Sequence, residues 1–313
     1  MTTLLDVRNL SVAFGGTLAV DGVSFGLAEK ETLGLVGESG CGKSTTALAL
    51  MGLLHGARVE GVARFGAQDL LGLDERRMRR ARGAKIAMIF QDPGTALHPL
   101  IRVGEQVADV MRAHLGISAA EARGRALDLF RKVGIAAPEQ RLRAYPHELS
   151  GGMCQRVMIA AAIACSPRLL LADEPTTALD VTVQAQILEL IREVSGAAGM
   201  AVILITHDLG VVAGMADRVA VMYAGRIVET AATDRLFASP AHPYSQGLLG
   251  SVPKLDAGWE EELATIPGSV QGASHEGGCR FAPRCPLAGD ICRRDPPLEE
   301  IADGHFVACW KAA

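Results

Sequence analysis

An α/β architecture with a mostly parallel core sheet and helices on both faces follows from three observations. Short apolar strands alternate with helix-forming segments along most of the chain. One of those strands runs straight into a glycine-rich loop that opens a helix. Another, Leu169-Leu170-Leu171-Ala172, ends in the paired acids Asp173 and Glu174. A length of 313 residues allows one large domain with an appendage, and 49% hydrophobic residues suffice for its core.

The elements fall in a readable order. The first thirty residues alternate in strand fashion, as in Leu10–Phe14, with a Gly15-Gly16 turn behind them. Thr32–Val36 reads as a short buried strand, and Ser44–Leu54 has the Ala and Leu content of a helix. Ile86–Phe90 is a second buried strand, ended by Gln91-Asp92-Pro93. Residues 100–148 read as helical, with Val103, Val107, Val110 and Met111 at helical spacing. Ser150-Gly151-Gly152 opens a helix predicted over Met153–Ala164. After the strand at Leu169–Leu171, Asp180 can cap a helix to about Ser195, whose Ile187, Ile191 and Val194 share a face. Ala201–Ile205 is a further strand, and Arg218–Tyr223 leads into a hairpin at Ala224-Gly225. From His242 onward, Pro253, Pro267, Pro283, Pro286, Pro296 and Pro297 preclude long regular elements.

Charge and patterning exclude several classes. A net charge of -4 gives no reason to expect nucleic acid as the main partner. The basic stretch Arg76–Arg82 accordingly reads as a solvated face. Met1–Asp6 lacks the basic-then-apolar order of a signal peptide, and the longest apolar run, Val157–Cys165, is too short to span a bilayer. A cytosolic chain is expected, with any membrane location supplied by partners.

Gly37-Glu38-Ser39-Gly40-Cys41-Gly42-Lys43-Ser44 fits the G-x-x-x-x-G-K-[ST] pattern of a phosphate loop, in the strand–loop–helix context that pattern requires. Its glycines permit tight curvature and clear side chains from the phosphates' path. Helix N-terminal amides, including those near Thr45, then point at the anion. Lys43 adds a point charge for the β- and γ-phosphates, and Ser44 offers a hydroxyl to Mg²⁺. Asp173 is expected near that ion, and Glu174 is the candidate base that polarises the attacking water. Gln91, after its strand, is placed to reach the ion or the water.

These motifs, with Leu149-Ser150-Gly151-Gly152-Met153 about a hundred residues behind the phosphate loop, resemble the ATP-binding subunits of ABC transporters. Phe90-Gln91-Asp92-Pro93, Gly104-Glu105-Gln106, Gln155–Ala160, Ala172–Gln184, His242-Pro243-Tyr244 and Cys279–Pro286 resemble, more narrowly, those of dipeptide and oligopeptide importers. Met153 stands where other ABC proteins often carry glutamine, while His98, Leu100 and Cys154 depart from the commoner residues of the branch. The resemblance implies a nucleotide-binding domain over residues 1–240, with an antiparallel N-terminal β region and a helical subdomain at about 95–165, and a cysteine-rich extension over 241–313. It implies that Phe14 stacks on adenine, that His207 contacts the γ-phosphate, that Ala178-Leu179-Asp180 joins two ATP sites, and that Ser150, Gly151 and Gly152 face the ATP of a partner subunit. It further implies ATP and Mg²⁺ as ligands. The implied partners are a like or paralogous ATPase, two membrane permeases, and a solute-binding protein reached through them. The chain would sit peripherally on the cytoplasmic face of the inner membrane. Related systems carry nickel, opines or sugars, and a non-transport ABC ATPase is the rival outside transport.

Seven cysteines are present, of which Cys279, Cys285, Cys292 and Cys309 crowd into the last 35 residues. Their spacing is not the paired C-x-x-C of common zinc ribbons. Four thiolates suit Zn²⁺ or a [4Fe–4S] cluster. The resemblance, some of whose members hold a cluster there, favours the cluster over zinc or free thiols.

Overall fold

The computed structural model describes residues 2–177, 179–251, 265–270 and 277–312. Ala178, expected in the segment joining two sites, and Pro253 lie outside the described residues. The chain divides into two compact units. One, carrying the phosphate loop, comprises residues 3–27, 32–72 and 205–313; the other, richer in helices, comprises 1–2, 28–31 and 73–204.

The loop-bearing unit opens with β1 (Thr3–Phe14), β2 (Thr17–Ala28), β3 (Thr32–Val36), α1 (Lys43–Leu50), β4 (Ala57–Phe65) and β5 (Gln68–Asp69). Four of these strands form an antiparallel sheet in the order β2-β1-β4-β5. Leu5, Val7, Leu10 and Val12 are all buried on β1 although the step from Val7 to Leu10 breaks the period of two. A register shift against β4 between Arg8 and Ser11 absorbs the extra residue and returns the apolar side chains to one face.

The helix-rich unit begins with α2 (Glu75–Ala81), β6 (Ile86–Ile89), α3 (Pro93–Ala96), α4 (Val103–Leu115), α5 (Ala119–Lys132) and α6 (Pro138–Arg141). It continues with α7 (Gly151–Ile163), β7 (Leu169–Asp173), α8 (Val181–Ala198) and β8 (Ala201–Thr206), leaving the unit at Leu204. On α2 only Met78 and Ala81 are buried, so the arginines form the solvated face expected of them. The helical stretch expected over 100–148 is several separate helices. Val103, Val107 and Met111 of α4 meet a second apolar stripe, Ala122, Ala126 and Phe130 of α5, and both helices pack on α7. Helix α7 starts earlier than expected, at Gly151, because the Ser150 side chain caps it by accepting from Met153 N–H. Asp180 caps α8 in the same way through Val183 N–H, and Ile187, Ile191 and Val194 are buried together. β6 and β7 pair in parallel with β8 beside β7, and every residue of the three is buried, as apolar parallel strands require.

The chain returns to the loop-bearing unit with α9 (Leu209–Met215), β9 (Arg218–Tyr223), β10 (Arg226–Ala232), α10 (Thr233–Ala238) and α11 (Pro243–Gly250), then β11 (Glu299–Ala302) and β12 (His305–Val307). Strand order here is β11-β12-β10-β9-β3. Only β3 and β9 pair in parallel; the β9–β10 and β11–β12 hairpins make the rest antiparallel, so this part of the core sheet is mixed. The proline-rich tail also holds more order than its composition suggests, because β12 completes the edge of β10.

Glu229 of β10 ties this tail down. Its carboxylate is fully buried and accepts from Ala241 N–H at 2.8 Å and His242 N–H at 2.9 Å, with His305 Nε2 at 2.7 Å. Beside it, the His242 ring is buried and its Nδ1 accepts from Tyr244 N–H at 3.0 Å. Burial pushes the His242 imidazole down to about 4, against a smaller opposing pull from Glu229. The unfolded chain therefore takes up this proton first as pH falls, and stability is lost between about pH 6.5 and pH 4, by on the order of 3 kcal/mol at most. Urea unfolding at pH 7.5 and pH 5 should show this loss, and His242→Asn, which keeps a capping oxygen, should flatten it. An unchanged pH slope in that variant would contradict the assignment.

Candidate active site

In the loop-bearing unit the phosphate loop lies between β3 and α1. Gly37 adopts φ +151, and a Cβ there would stand 2.1 Å from the Met222 carbonyl oxygen of β9. Gly42, at φ +106, would meet the Ala19 carbonyl at 2.6 Å. No side chain fits either position, which accounts for both glycines. Lys43 is buried, its Nζ donating to the carbonyls of Gly37 at 2.7 Å and Glu38 at 3.0 Å. The Thr46 hydroxyl donates to Gly42 O at 2.9 Å and holds the first turn of α1. Cys41 is buried, which pushes its thiol up and leaves it protonated. Ser44 and Thr45 follow in the first turn of α1, at the end of a helix that favours an anion.

In the same unit Phe14 ends β1 and is 39% exposed, so it is available for stacking rather than part of the core. His207 follows β8 and is exposed; the next residue, Asp208, caps α9 by accepting from Gly210 N–H at 2.8 Å.

The helix-rich unit holds the acids. Asp173 is the last residue of β7 and is buried. Glu174 adopts φ +44, a left-handed conformation that a non-glycine residue holds only where its surroundings impose it. Its Oε2 accepts from Gln91 Nε2 at 2.9 Å and from the Thr177 hydroxyl at 3.0 Å. Gln91 and Glu174 are thus joined across 83 residues of sequence. Thr177 was not among the residues marked by sequence; its place three residues after Glu174 was the available signal. Two neutral donors thus fix the direction of this carboxylate. Ser150 and Gly151 are exposed at the start of α7, and a Cβ on Gly152 would approach Val183 Cγ1 of α8 to 2.9 Å. Serine hydroxyl, carboxylate and amide oxygens, as in Ser44, Asp173 and Gln91, are the hard donors that suit Mg²⁺.

The four C-terminal cysteines, also in the loop-bearing unit, line one cavity together with Trp310, Phe281 and Leu287. Cys279 N–H donates to Cys292 O at 2.9 Å. That convergence fits a shared ligand, but the cavity encloses only about 10 Å³, room for no more than a water. Among the described residues no group of three or more His, Cys, Asp or Glu has the arrangement of a metal site. The thiols as placed do not form a cage for an iron–sulfur cluster.

Comparison with known proteins agrees with the geometry. Residues 20–177 match the ABC transporter family, and residues 228–292 match the C-terminal region of oligopeptide/dipeptide transporters. A probable peptide ABC transporter ATP-binding protein of Sinorhizobium fredii is 54% identical, over 99% of this chain and 95% of that protein. The oligopeptide transport ATP-binding protein of Salmonella typhimurium is 51% identical over 98% and 93%, and the dipeptide transport ATP-binding protein of Bacillus subtilis 51% over 99% and 95%. Among solved structures, a dimeric ATP-binding cassette bound to ADP and phosphate superposes with a TM-score of 0.66 at 28% identity, over 73% of this chain and 98% of that one. The structure of cbiO1 from Clostridium perfringens gives 0.65 at 27%, over 76% and 92%. No helix among the described residues is long and apolar enough to cross a membrane. The chain is an ABC-type ATPase: it belongs to the ABC transporter family and carries the C-terminal region that marks its oligopeptide/dipeptide branch.

Proposed function

We propose that this chain hydrolyses ATP to power uptake of di- or oligopeptides, paired with a like or paralogous ATPase beneath two membrane permeases. The observation that carries the reading is similarity to peptide-transport ATP-binding proteins over nearly the whole length, tail included. Importers of nickel, opines or sugars on the same branch are the alternative solute classes. A solute-binding protein delivers the solute to the permeases, which hold this subunit at the cytoplasmic face of the inner membrane. Residues 1–240 form the ATPase domain, with a helical subdomain at about 95–165 that receives the permease at about 95–148, and residues 241–313 form the extension.

The chemistry rests on named groups. Lys43 and the rest of the loop over residues 37–45 bind the phosphates, and Phe14 supports the adenine. Ser44, Asp173 and Gln91 would hold Mg²⁺, which would supply positive charge against the phosphates. Glu174 accepts the proton of the attacking water, with Gln91 and Thr177 fixing its carboxylate, and His207 contacts the γ-phosphate. Ser150, Gly151 and Gly152 offer their helix N-terminus to the partner's ATP, which is why one chain alone should turn over poorly.

Glu174→Gln should lower kcat by about 10²–10⁴-fold while leaving ATP affinity within about threefold, since it removes the base but not the phosphate contacts. Full turnover in that variant would remove Glu174 from this role. Tagged full-length chain, purified from membranes in mild detergent, should bring two multi-span permeases and a second ATPase subunit. Recovery with ribosomes or repair factors would overturn the transport reading.

A second reading concerns the tail. The meeting of all four cysteines at one cavity supports a [4Fe–4S] cluster, which would require the thiols to part from their present positions. Anaerobic purification should then yield brown protein with about four iron atoms per chain. Colourless, iron-free protein would exclude it.

A further inference from the structure

The C-terminal region grips one residue of the phosphate loop at several points. Glu38 follows the first glycine of the loop, and each of its hydrogen-bonding parts has a partner. Its carboxylate receives both arms of the Arg284 guanidinium, Nη1 to Oε2 and Nη2 to Oε1, each at 2.9 Å. Its N–H donates to the Tyr244 hydroxyl at 2.9 Å. Its carbonyl accepts from Lys43 Nζ at 3.0 Å. Two of these three contacts come from beyond residue 241, and the third is the ammonium expected to meet the nucleotide phosphates.

Arg284 is itself well held. Its Nε donates to Pro267 O at 2.7 Å, and its Nη2 also reaches the Ile266 and Gly268 carbonyls at 3.3 Å. The guanidinium lies 5.7 Å from the centre of the Tyr223 ring, and its side chain is 7% exposed. Tyr223 packs edge-on against Tyr244 at 4.7 Å and Phe281 at 5.2 Å. Burial pushes the Tyr244 phenol up, so its hydroxyl stays neutral. A second arginine repeats the pattern. Arg280 donates to Asp21 and to the Ala224 carbonyl, and the next residue, Gly225, donates its N–H to Cys41 O at 2.9 Å.

A planar, bidentate pair of this kind fixes direction as well as distance, and a lysine in its place would keep the charge but lose the fork. We propose that Arg284 is a positioning residue for ATP binding: through Glu38, and with Tyr244, it sets the phosphate loop and hence the place of Lys43. The inference rests on the reading that residues 37–45 bind the phosphates. It gives the branch-specific tail a part in nucleotide affinity.

The test is titration of the purified full-length chain with a fluorescent ATP analogue and Mg²⁺, beside steady-state hydrolysis in the assembled transporter. Arg284→Ala should weaken nucleotide binding about 10- to 100-fold and raise KM in proportion, with kcat at saturating ATP changed less than about threefold. Arg284→Lys should recover part of the affinity. The double exchange E38R and R284E should bind better than either single variant. Tyr244→Phe, which removes only the hydroxyl, should weaken binding by several-fold at unchanged fold stability, and it stands in should Arg284→Ala fail to fold. Lys43→Ala is the control that should abolish binding. Wild-type affinity in Arg284→Ala or Tyr244→Phe, while the natural chain binds and Lys43→Ala does not, would overturn the positioning role alone. A natural chain that binds no nucleotide would overturn the phosphate-loop reading and this inference with it. Loss of kcat at unchanged KM would mark Arg284 as structural and likewise overturn the proposal.

Discussion

Close approach of the phosphate loop to strand β9 is the constraint on which the loop-bearing unit depends. The parallel pairing of β3 with β9 brings Met222 beside Gly37, and the carbonyl leaves no room for a side chain. Chain direction at the end of β3 is therefore set by contact, not by local preference. From there the loop must turn through Gly40 and Gly42, both at positive φ, before α1 can begin at Lys43. The ammonium of Lys43 ends up buried and held by two carbonyls, a cation kept from water and in need of an anion. Helix N-terminal amides beside it share that need.

Strain plays the matching part in the helix-rich unit. β7 delivers Asp173 at its buried end, and the backbone then reverses through a left-handed Glu174. Such a conformation costs on the order of 1 kcal/mol or more, and persists because the surroundings over-determine it. Gln91 and Thr177 both bind the carboxylate that this turn directs, so the strained residue is also held through its side chain. A carboxylate placed in this way has little freedom left to reorganise.

The tail is joined to the core by polar contacts that would be costly to leave half-made. Glu229, Arg284 and Arg280 each bring a charge into a mostly enclosed setting and each is met by several partners. Tyr223, Tyr244 and Phe281 pack on one another, and the Tyr223 ring lies against the Arg284 guanidinium. Cys279 and Cys285 pack against this cluster, and with Cys292 and Cys309 they line one cavity.

Much of the fold and most of the candidate site were legible in the chain itself. The glycine spacing of the loop, the apolar run before Asp173, and the cap at Asp180 are local features, in which a residue type and its neighbours suffice to fix the outcome. Periodicity likewise identified the buried face of α8 and, with Val110 only partly buried, that of α4. What local sequence could not carry were pairings between distant residues. The partnership of Gln91 with Glu174, the register shift within β1, the pairing of β12 with β10 and the grip of Arg284 on Glu38 all depend on which segments pack together. A bidentate ion pair spanning 246 residues leaves no trace in either segment, because each half alone is an ordinary surface charge. Only folding, by removing water from Arg284 and aligning its fork with one carboxylate, gives that pair its direction.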